Sequence, residues 1–188
     1  CDNEEIGFGW DEKYLSRIPA LQLLMNLGYT YLSPAQGMRE RGNKVSNILL
    51  DTILAAQLKK INRIYHKGRE YLFSEENIQS AIQKLKNVRY DGLLKTNEGI
   101  YDLLTLGTTQ EQTIEGSVKS FNFHYIDWQR LERNVFHVTP DFSVERYRST
   151  DTARPDIVLF VNGIPLCVIE CKSPGINISQ AISQMIRN

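Results

Sequence analysis

The dipeptide Asn162-Gly163 separates two apolar runs, "DIVLFV" at 156–161 and "IPLCVIECK" at 164–172. Asn-Gly is the pair most typical of a two-residue turn between antiparallel strands, because both turn positions then take positive φ angles. We therefore predict a β-hairpin whose second run is a strand buried on both faces. The hairpin determines which residues of the two runs lie beside one another, and so which side chains can act together.

Two charged residues, Glu170 and Lys172, lie inside the second apolar run. Charged side chains rarely enter a protein core unless they are paired or bind a ligand. Alternation along a strand places both on one face and Cys171 on the other. Cys167 has the same parity as Cys171, so both cysteines are expected to fill a hydrophobic face as small apolar side chains.

Asp156 begins the first run, and the register of the hairpin decides whether it can join these charges. In a plain two-residue hairpin, Asp156 shares a face with Ile169 instead of Glu170. A three-residue loop or a bulge, with Gly163 in the left-handed conformation, shifts the register by one residue. We predict this shifted register, in which Asp156, Glu170 and Lys172 converge on one face.

This group of charges is suited to a divalent cation. Two carboxylates within about 4 Å repel strongly in a dry site, and a cation removes the conflict. Carboxylates and a backbone carbonyl at Cys171 are the hard oxygen ligands that Mg²⁺ prefers. The Lys172 ammonium beside the metal could orient or deprotonate a water and neutralise developing charge. The set predicts metal-assisted phosphodiester hydrolysis; a surface-facing Asp156 with a structural Glu170–Lys172 pair is the alternative.

The rest of the chain predicts an α/β domain with a mixed sheet. Residues 1–110 are expected to be mainly helical, and residues 111–188 to supply the sheet and a final helix. Proline and glycine content predicts a loop at 33–43, whose basic residues either contact phosphate or are solvated. Pro140 makes the run 134–145 an edge or bulged strand. Helices are expected from the caps Ser16, Ser46, Ser74 and Thr96.

Asp51 is a further acidic candidate within the second of these helices. It lies on the same helix face as Leu54, Leu58 and Ile61. An acid on an apolar stripe either reaches water at the edge of the stripe or serves a site, and the residues alone leave both possibilities open.

Composition limits the partners. There are 22 Lys and Arg and 22 Asp and Glu residues, so the formal net charge is zero. Domains that bind DNA unaided are usually basic, so DNA affinity is expected to be local or supplied by a larger assembly. Three cysteines without a C-x-x-C pair argue against a zinc knuckle and favour a reducing cytoplasm. No apolar run approaches the roughly 20 residues that span a bilayer, so no membrane partner is expected. The lack of an initiator Met is typical of a fragment.

The block "RPDIVLFVNGIPLCVIECKSPG" at 154–175 resembles the nuclease motif of the R (restriction, HsdR) subunit of type I restriction enzymes. It is similar to the PD-(D/E)xK signature, with Pro155 and Asp156 followed by Glu170 and Lys172. A looser similarity extends back to about residue 45.

This resemblance implies a restriction-endonuclease-like fold, a mixed sheet with flanking helices, that cuts double-stranded DNA with Mg²⁺. Residues 1–188 would form a single endonuclease domain of a longer chain, which works with modification and specificity subunits. In the family an ATP-driven motor follows this domain, and ATP would bind only there, since no G-x(4)-G-K-[ST] phosphate loop occurs here. The alternatives are a DNA-binding or assembly module that is inactive in isolation, and another nuclease of the superfamily, such as a repair or modification-dependent enzyme.

The resemblance also assigns residue roles. Asp156 and Glu170 would be metal ligands, with the backbone carbonyl at Cys171, and Lys172 the catalytic lysine. Asp51 stands where the superfamily often keeps a helix-borne acid near the metal. Gln184 matches the glutamine of a Gln-x-x-x-Tyr element whose tyrosine position is occupied by Asn188, and Arg154 joins Gln184 as a candidate DNA-contacting or supporting residue.

Overall fold

The computed structural model describes residues 13–146 and 151–172. This part of the chain is a mixed α/β structure, as predicted. Its helices are α1 (Ile18–Asn26), α2 (Pro34–Glu40), α3 (Asp51–Ile61), α4 (Glu75–Lys86) and α5 (Leu93–Leu106), with a π-helical turn at Lys13–Arg17 and a 3₁₀ turn at Leu131–Arg133. Its strands are β1 (Thr30–Tyr31), β2 (Ile64–His66), β3 (Arg69–Tyr71), β4 (Thr108–Ile114), β5 (Ser117–Phe123), β6 (Phe136–Pro140), β7 (Val144–Glu145), β8 (Thr152–Ala153), β9 (Ile157–Val161) and β10 (Ile164–Ile169).

The central sheet has the strand order β1-β6-β9-β10 within the described residues. β6 is parallel to β1 and antiparallel to β9, and β10 is antiparallel to β9. The prediction that Pro140 makes its strand an edge or bulged strand was wrong, because β6 is paired on both sides and its register with β9 has no shift. Pro140 is the last residue of β6, so its missing N–H affects only the end of the ladder.

β10 lies at the edge of this sheet in the described part of the chain, and the expectation that it is buried on both faces was wrong. Leu166, Cys167 and Val168 are exposed. The expectation for the two cysteines therefore holds only for Cys171, which is buried, while Cys167 is exposed.

The helix boundaries differ from the predicted ones for local reasons. The segment at 33–43 contains α2 instead of a loop, since Ser33 and Gln36 form a capping box. Ser74 caps α4 as predicted, accepting a hydrogen bond from the Asn77 N–H. Ser16 does not cap α1, because the helix begins at Ile18 and its N-cap position is occupied by Arg17. Within the predicted basic loop, Arg41 is buried, with its guanidinium 4.3 Å from the centroid of the Phe142 ring.

The Asn162-Gly163 turn is anchored in the interior of the protein. Both residues have positive φ, 53° and 85°, as a two-residue hairpin turn requires. The Asn162 amide is fully buried and fully used: Nδ2 donates to Tyr125 O and Asn134 Oδ1, and Oδ1 accepts from the Val135 N–H. The turn therefore holds the whole β9–β10 hairpin in place.

Two parts of the core bear on the position of the hairpin. A large cluster lies between α3, α4 and the β4–β5 hairpin and includes Leu54, Leu58, Ile78, Ile82, Phe123 and Tyr125. A smaller cluster of Leu24, Val138, Ile157 and Cys171 joins α1 to the other end of the central sheet. The hairpin is thus packed at both of its ends.

Candidate functional site

The register of the β9–β10 hairpin confirms the predicted shift. Val161 lies opposite Ile164, as in a plain two-residue turn. One extra residue, Leu166, forms a bulge in β10, after which Ile157 lies opposite Ile169. Continued by one residue, this register sets Asp156 opposite Glu170. The bulge lies within the strand and not in the turn, so the left-handed Gly163 serves the turn alone.

Contacts beyond the ladder hold the Asp156 carboxylate in position. Its Oδ2 accepts a hydrogen bond from the Cys171 N–H at 2.8 Å. Its Oδ1 lies 3.7 Å from Nη1 of Arg17, in the turn that precedes α1. The side chain retains only 26% of its exposure, so these charges are less screened than charges on an open surface.

A second aspartate, Asp141, directly follows the neighbouring strand β6 and lies beside Asp156. Pro140 pairs with Ile157, and the Asp141 N–H donates to the Asp156 carbonyl at 3.1 Å. Asp141 Oδ1 accepts a hydrogen bond from Arg17 Nη1 at 2.8 Å. The sequence analysis missed both Asp141 and Arg17. The pairing of Pro140 with Ile157 would have indicated Asp141, while no local signal marks Arg17.

Lys172 is tied to the N-terminal helical segment through its backbone. The Ser16 hydroxyl donates to the Lys172 carbonyl at 2.6 Å. Between Glu170 and Lys172, Cys171 is buried against Leu24 of α1 and its neighbours in the smaller cluster, whereas Glu170 and Lys172 are half-buried. Cys171 thus packs the end of the strand against the core. Glu170 and Lys172, on either side of it in sequence, are only partly buried.

The side chains present are chemically suited to a hard cation. Asp156 and Glu170 offer carboxylate oxygens at opposed positions, and Mg²⁺ is commonly held by one or two carboxylates with the remaining positions taken by water. Within residues 13–146 and 151–172, no group of three or more His, Cys, Asp and Glu side chains is placed to hold a metal. Two carboxylates could hold Mg²⁺ only with water at the remaining coordination positions.

Comparison with known proteins identifies the family. The family model described as "Type I restriction enzyme R protein N terminus" matches residues 10–188. This chain belongs to that family. A putative type I restriction enzyme MjaIXP endonuclease subunit from Methanocaldococcus jannaschii is 29% identical over 173 residues, which are 89% of this chain and 16% of the relative.

Two further relatives carry similar names. The putative type I restriction enzyme MjaVIIIP endonuclease subunit of M. jannaschii is 32% identical over 78% of this chain and 13% of its own length. The type I restriction enzyme HindI endonuclease subunit of Haemophilus influenzae is 28% identical over 82% of this chain and 14% of its own length. The matched region is thus about one sixth or less of each of these relatives.

The placement of Asp51 argues against its suggested role as a metal ligand. Asp51 begins α3, and the preceding Leu50 N–H donates to the Gly163 carbonyl at 2.9 Å. Asp51 therefore lies near the turn of the hairpin, and at about 3.3 Å per residue the turn is roughly 17 Å along β9 from Asp156. Asp51 Oδ2 accepts from Lys86 Nζ at 2.6 Å beside a cavity of about 680 Å³. Asp51 thus lies at the opposite end of the hairpin from Asp156.

Of the two candidate DNA-contacting or supporting residues, Arg154 lies next to Asp141. Its Nη2 is 3.0 Å from Asp141 Oδ1, and its side chain is 63% exposed. Gln184 and Asn188 lie outside the described residues. No helix in the part of the chain that the structure describes is long and apolar enough to cross a membrane.

Proposed function

We propose that this chain is the Mg²⁺-dependent endonuclease part of a type I restriction enzyme R subunit, and that it hydrolyses phosphodiester bonds in double-stranded DNA. The observation that carries the proposal is the bulge at Leu166, after which Ile157 lies opposite Ile169. Continued by one residue, this register would bring Asp156 opposite Glu170. The two acids of the Pro-Asp…Glu-x-Lys motif would thereby share one face at the open end of the hairpin. Membership of the R protein N-terminal family supports the same function.

In this proposal Asp156, Glu170 and a backbone carbonyl at Cys171 hold the cation, while Lys172 acts on water and phosphate. The cation would supply positive charge against the scissile phosphate. The Lys172 ammonium orients the attacking water and meets negative charge as it develops on a phosphate oxygen. The Cys171 N–H holds Asp156 Oδ2, which fixes the direction in which the carboxylate faces.

The proposal extends to the wider assembly. We expect a restriction-endonuclease-like fold, a cytoplasmic location, an ATP-driven motor elsewhere in the protein, and modification and specificity subunits as partners. The three relatives named above are called type I restriction enzyme endonuclease subunits and are much longer than this chain. With a formal net charge of zero, this chain alone should bind DNA weakly and with strong salt dependence.

Lys172 provides the decisive test, in the complete restriction complex. The planar guanidinium of an arginine cannot occupy the position of a compact ammonium, so Lys172→Arg and Lys172→Ala should both abolish DNA cleavage. ATP hydrolysis and translocation should persist, because the motor lies elsewhere. Lys59→Arg is the matched control, since Lys59 is half-exposed and paired with Glu75 on the surface, and it should cleave normally.

The other outcomes identify the alternatives. Near wild-type cleavage by Lys172→Arg would reduce the lysine to a charge-balancing role. A wild-type complex that binds DNA without cutting it would indicate a binding or assembly module. Cleavage that needs neither ATP nor partner subunits would indicate a different nuclease of the superfamily.

A further inference from the structure

Arg17 places one guanidinium between two carboxylates of the site. Its Nη1 is 2.8 Å from Asp141 Oδ1 and 3.7 Å from Asp156 Oδ1, and its side chain is only 15% exposed. A guanidinium with so little exposure is found in proteins chiefly where it is paired. Burial also leaves these charges weakly screened by salt.

The backbone gives Arg17 its role by placing the two acids together. The Asp141 N–H donates to the Asp156 carbonyl, so the residues occupy neighbouring positions on adjacent strand ends. Two nearby carboxylates disfavour each other's ionised form unless a cation lies between them. Arg154 also reaches Asp141 Oδ1, but it is largely exposed and water screens its charge. Arg17 is therefore the less screened of the two cations.

In this position Arg17 competes with a divalent cation for the Asp156 carboxylate. Asp156 Oδ2 already accepts the Cys171 N–H, so Oδ1, the oxygen nearer Arg17, is the one less engaged with the backbone. A guanidinium at 3.7 Å repels any cation that approaches this oxygen. Asp141, by contrast, holds Arg17 at hydrogen-bonding distance and offers it an alternative partner.

We propose that Arg17 is a built-in counter-cation that stands in for the divalent metal at Asp156. In the metal-free protein its single positive charge is shared between the Asp156 and Asp141 carboxylates. When the metal binds Asp156, Arg17 remains paired with Asp141 only. Asp141 thus provides the carboxylate partner that allows Arg17 to move away from Asp156. Arg17 thus lowers the affinity of the site for metal, and Asp141 raises it. This inference rests on the proposed function, because it takes Asp156 as a metal ligand.

Mn²⁺ binding to the full-length protein tests the proposal directly. The relevant site is the one lost in Asp156→Asn, measured by isothermal titration calorimetry together with the metal-induced rise in Tm. Arg17→Met should bind Mn²⁺ on the order of tenfold more tightly than wild type, because a nearby positive charge has gone. Its Tm should be lower without metal and should rise more when metal is added.

Three further variants separate this role from a purely structural one. Asp141→Asn should weaken Mn²⁺ binding several-fold, since Arg17 then has only Asp156 as a carboxylate partner. Arg17→Lys keeps the charge and should bind Mn²⁺ close to wild type. Arg63→Met removes a comparable half-buried arginine that pairs with Glu70 at 3.2 Å, away from the site, and should leave Mn²⁺ affinity unchanged.

Opposite signs for Arg17→Met and Asp141→Asn support the proposal. Unchanged or weaker Mn²⁺ binding by a folded Arg17→Met would overturn it, while loss of binding in Asp156→Asn would still uphold the proposed metal site. If Arg17→Met does not fold, stronger or unchanged binding by Asp141→Asn would overturn the proposal instead. Equal Mn²⁺ binding by wild type and Asp156→Asn would overturn this inference and the metal site together.

Discussion

The Cys171 N–H donates a hydrogen bond to Asp156 Oδ2 at 2.8 Å, across the open end of the β9–β10 hairpin. The bond lies beyond the last paired residues of the ladder, Ile157 and Ile169. It therefore joins the Pro-Asp part of the motif to the Glu-x-Lys part by a contact that no strand pairing supplies. Because the same carboxylate faces Arg17, Asp156 is both a structural acceptor and the charged centre of the candidate site.

These two properties of Asp156 can be separated by substitution. Asp156→Asn keeps an oxygen that accepts the Cys171 N–H but loses the negative charge, so it should remain folded and lose Mn²⁺ binding. Asp156→Ala leaves that N–H without its acceptor and should cost about 1 kcal/mol more than Asp156→Asn in the free energy of unfolding. Urea denaturation and Mn²⁺ titration measure the two effects. Equal stability of the two variants would show that the hydrogen bond contributes nothing.

Gly163, in the turn of the β9–β10 hairpin, is predicted to tolerate no larger residue. An added Cβ would lie 2.7 Å from the Leu50 carbonyl oxygen and 3.0 Å from the Leu54 nitrogen, in a backbone with φ of +85°. Gly163→Ala should therefore lower the free energy of unfolding by several kcal/mol. About 1 kcal/mol of this loss is backbone strain in the left-handed conformation, and the rest is the steric clash with helix α3.

Gly68 is the matched control for this clash. It has a similar φ of +76°, yet an added Cβ would meet nothing within 4 Å. Gly68→Ala should lower the free energy of unfolding only by the backbone strain, about 1 kcal/mol. Chemical denaturation of both variants gives the comparison, and similar losses of stability would mean that α3 gives way to the methyl group at Gly163.

The sequence predicted the features of the site that depend on local signals. Asn162-Gly163 specifies a turn by its own φ preferences, and strand alternation then places Glu170 and Lys172. The need for a shifted register followed from charge alone, but its position at Leu166 did not, because a bulge at this point depends on how β10 packs and pairs. The Ser33 and Gln36 capping box is a local signal for α2, and Pro34 is compatible with the first turn of that helix.

Long-range contacts account for what the sequence could not show. Arg17 and Asp141 are 124 positions apart and meet only because α1 packs against the sheet near the end of β6. The resemblance to the family suggested Asp51 as a metal ligand. The hydrogen bond from the Leu50 N–H to the Gly163 carbonyl instead places Asp51 at the turn end of the hairpin, away from Asp156. Periodicity locates a residue on a face of its element and contains no information about which end of a neighbouring element it meets.

Ser16 is predicted to position the backbone at Lys172. Its hydroxyl donates to the Lys172 carbonyl at 2.6 Å. Ser16→Ala should lower stability by about 1 kcal/mol, and it should reduce DNA cleavage in the complete complex without changing Mn²⁺ affinity. Ser80→Ala, at an exposed position of α4, is the control and should alter neither quantity. Unchanged cleavage in Ser16→Ala would limit this contact to a structural role.

His137 should make stability depend on pH just below neutrality. It lies in β6 opposite Phe160, and burial lowers its pKa below the ordinary 6.5, while the nearby Glu40 acts weakly in the opposite sense. Its buried Nδ1 has no hydrogen-bond partner among the described residues. The ring is therefore neutral in the folded protein under conditions in which the unfolded chain already binds a proton.

The sign of the effect follows from this difference in proton uptake. The contribution of neutral His137 to the free energy of unfolding is fully present above pH 6.5. It falls as the pH drops from 6.5 towards the lowered pKa of folded His137, because the unfolded state binds more protons in that range. His137→Phe should remove this part of the pH dependence, and Glu40→Gln should extend it to lower pH by lowering the pKa of His137 further. Urea denaturation of the three proteins between pH 5 and pH 7.5, at about half-unit steps, measures the difference. A wild-type protein whose stability changes with pH in parallel with His137→Phe would show that folding does not lower the pKa of this histidine.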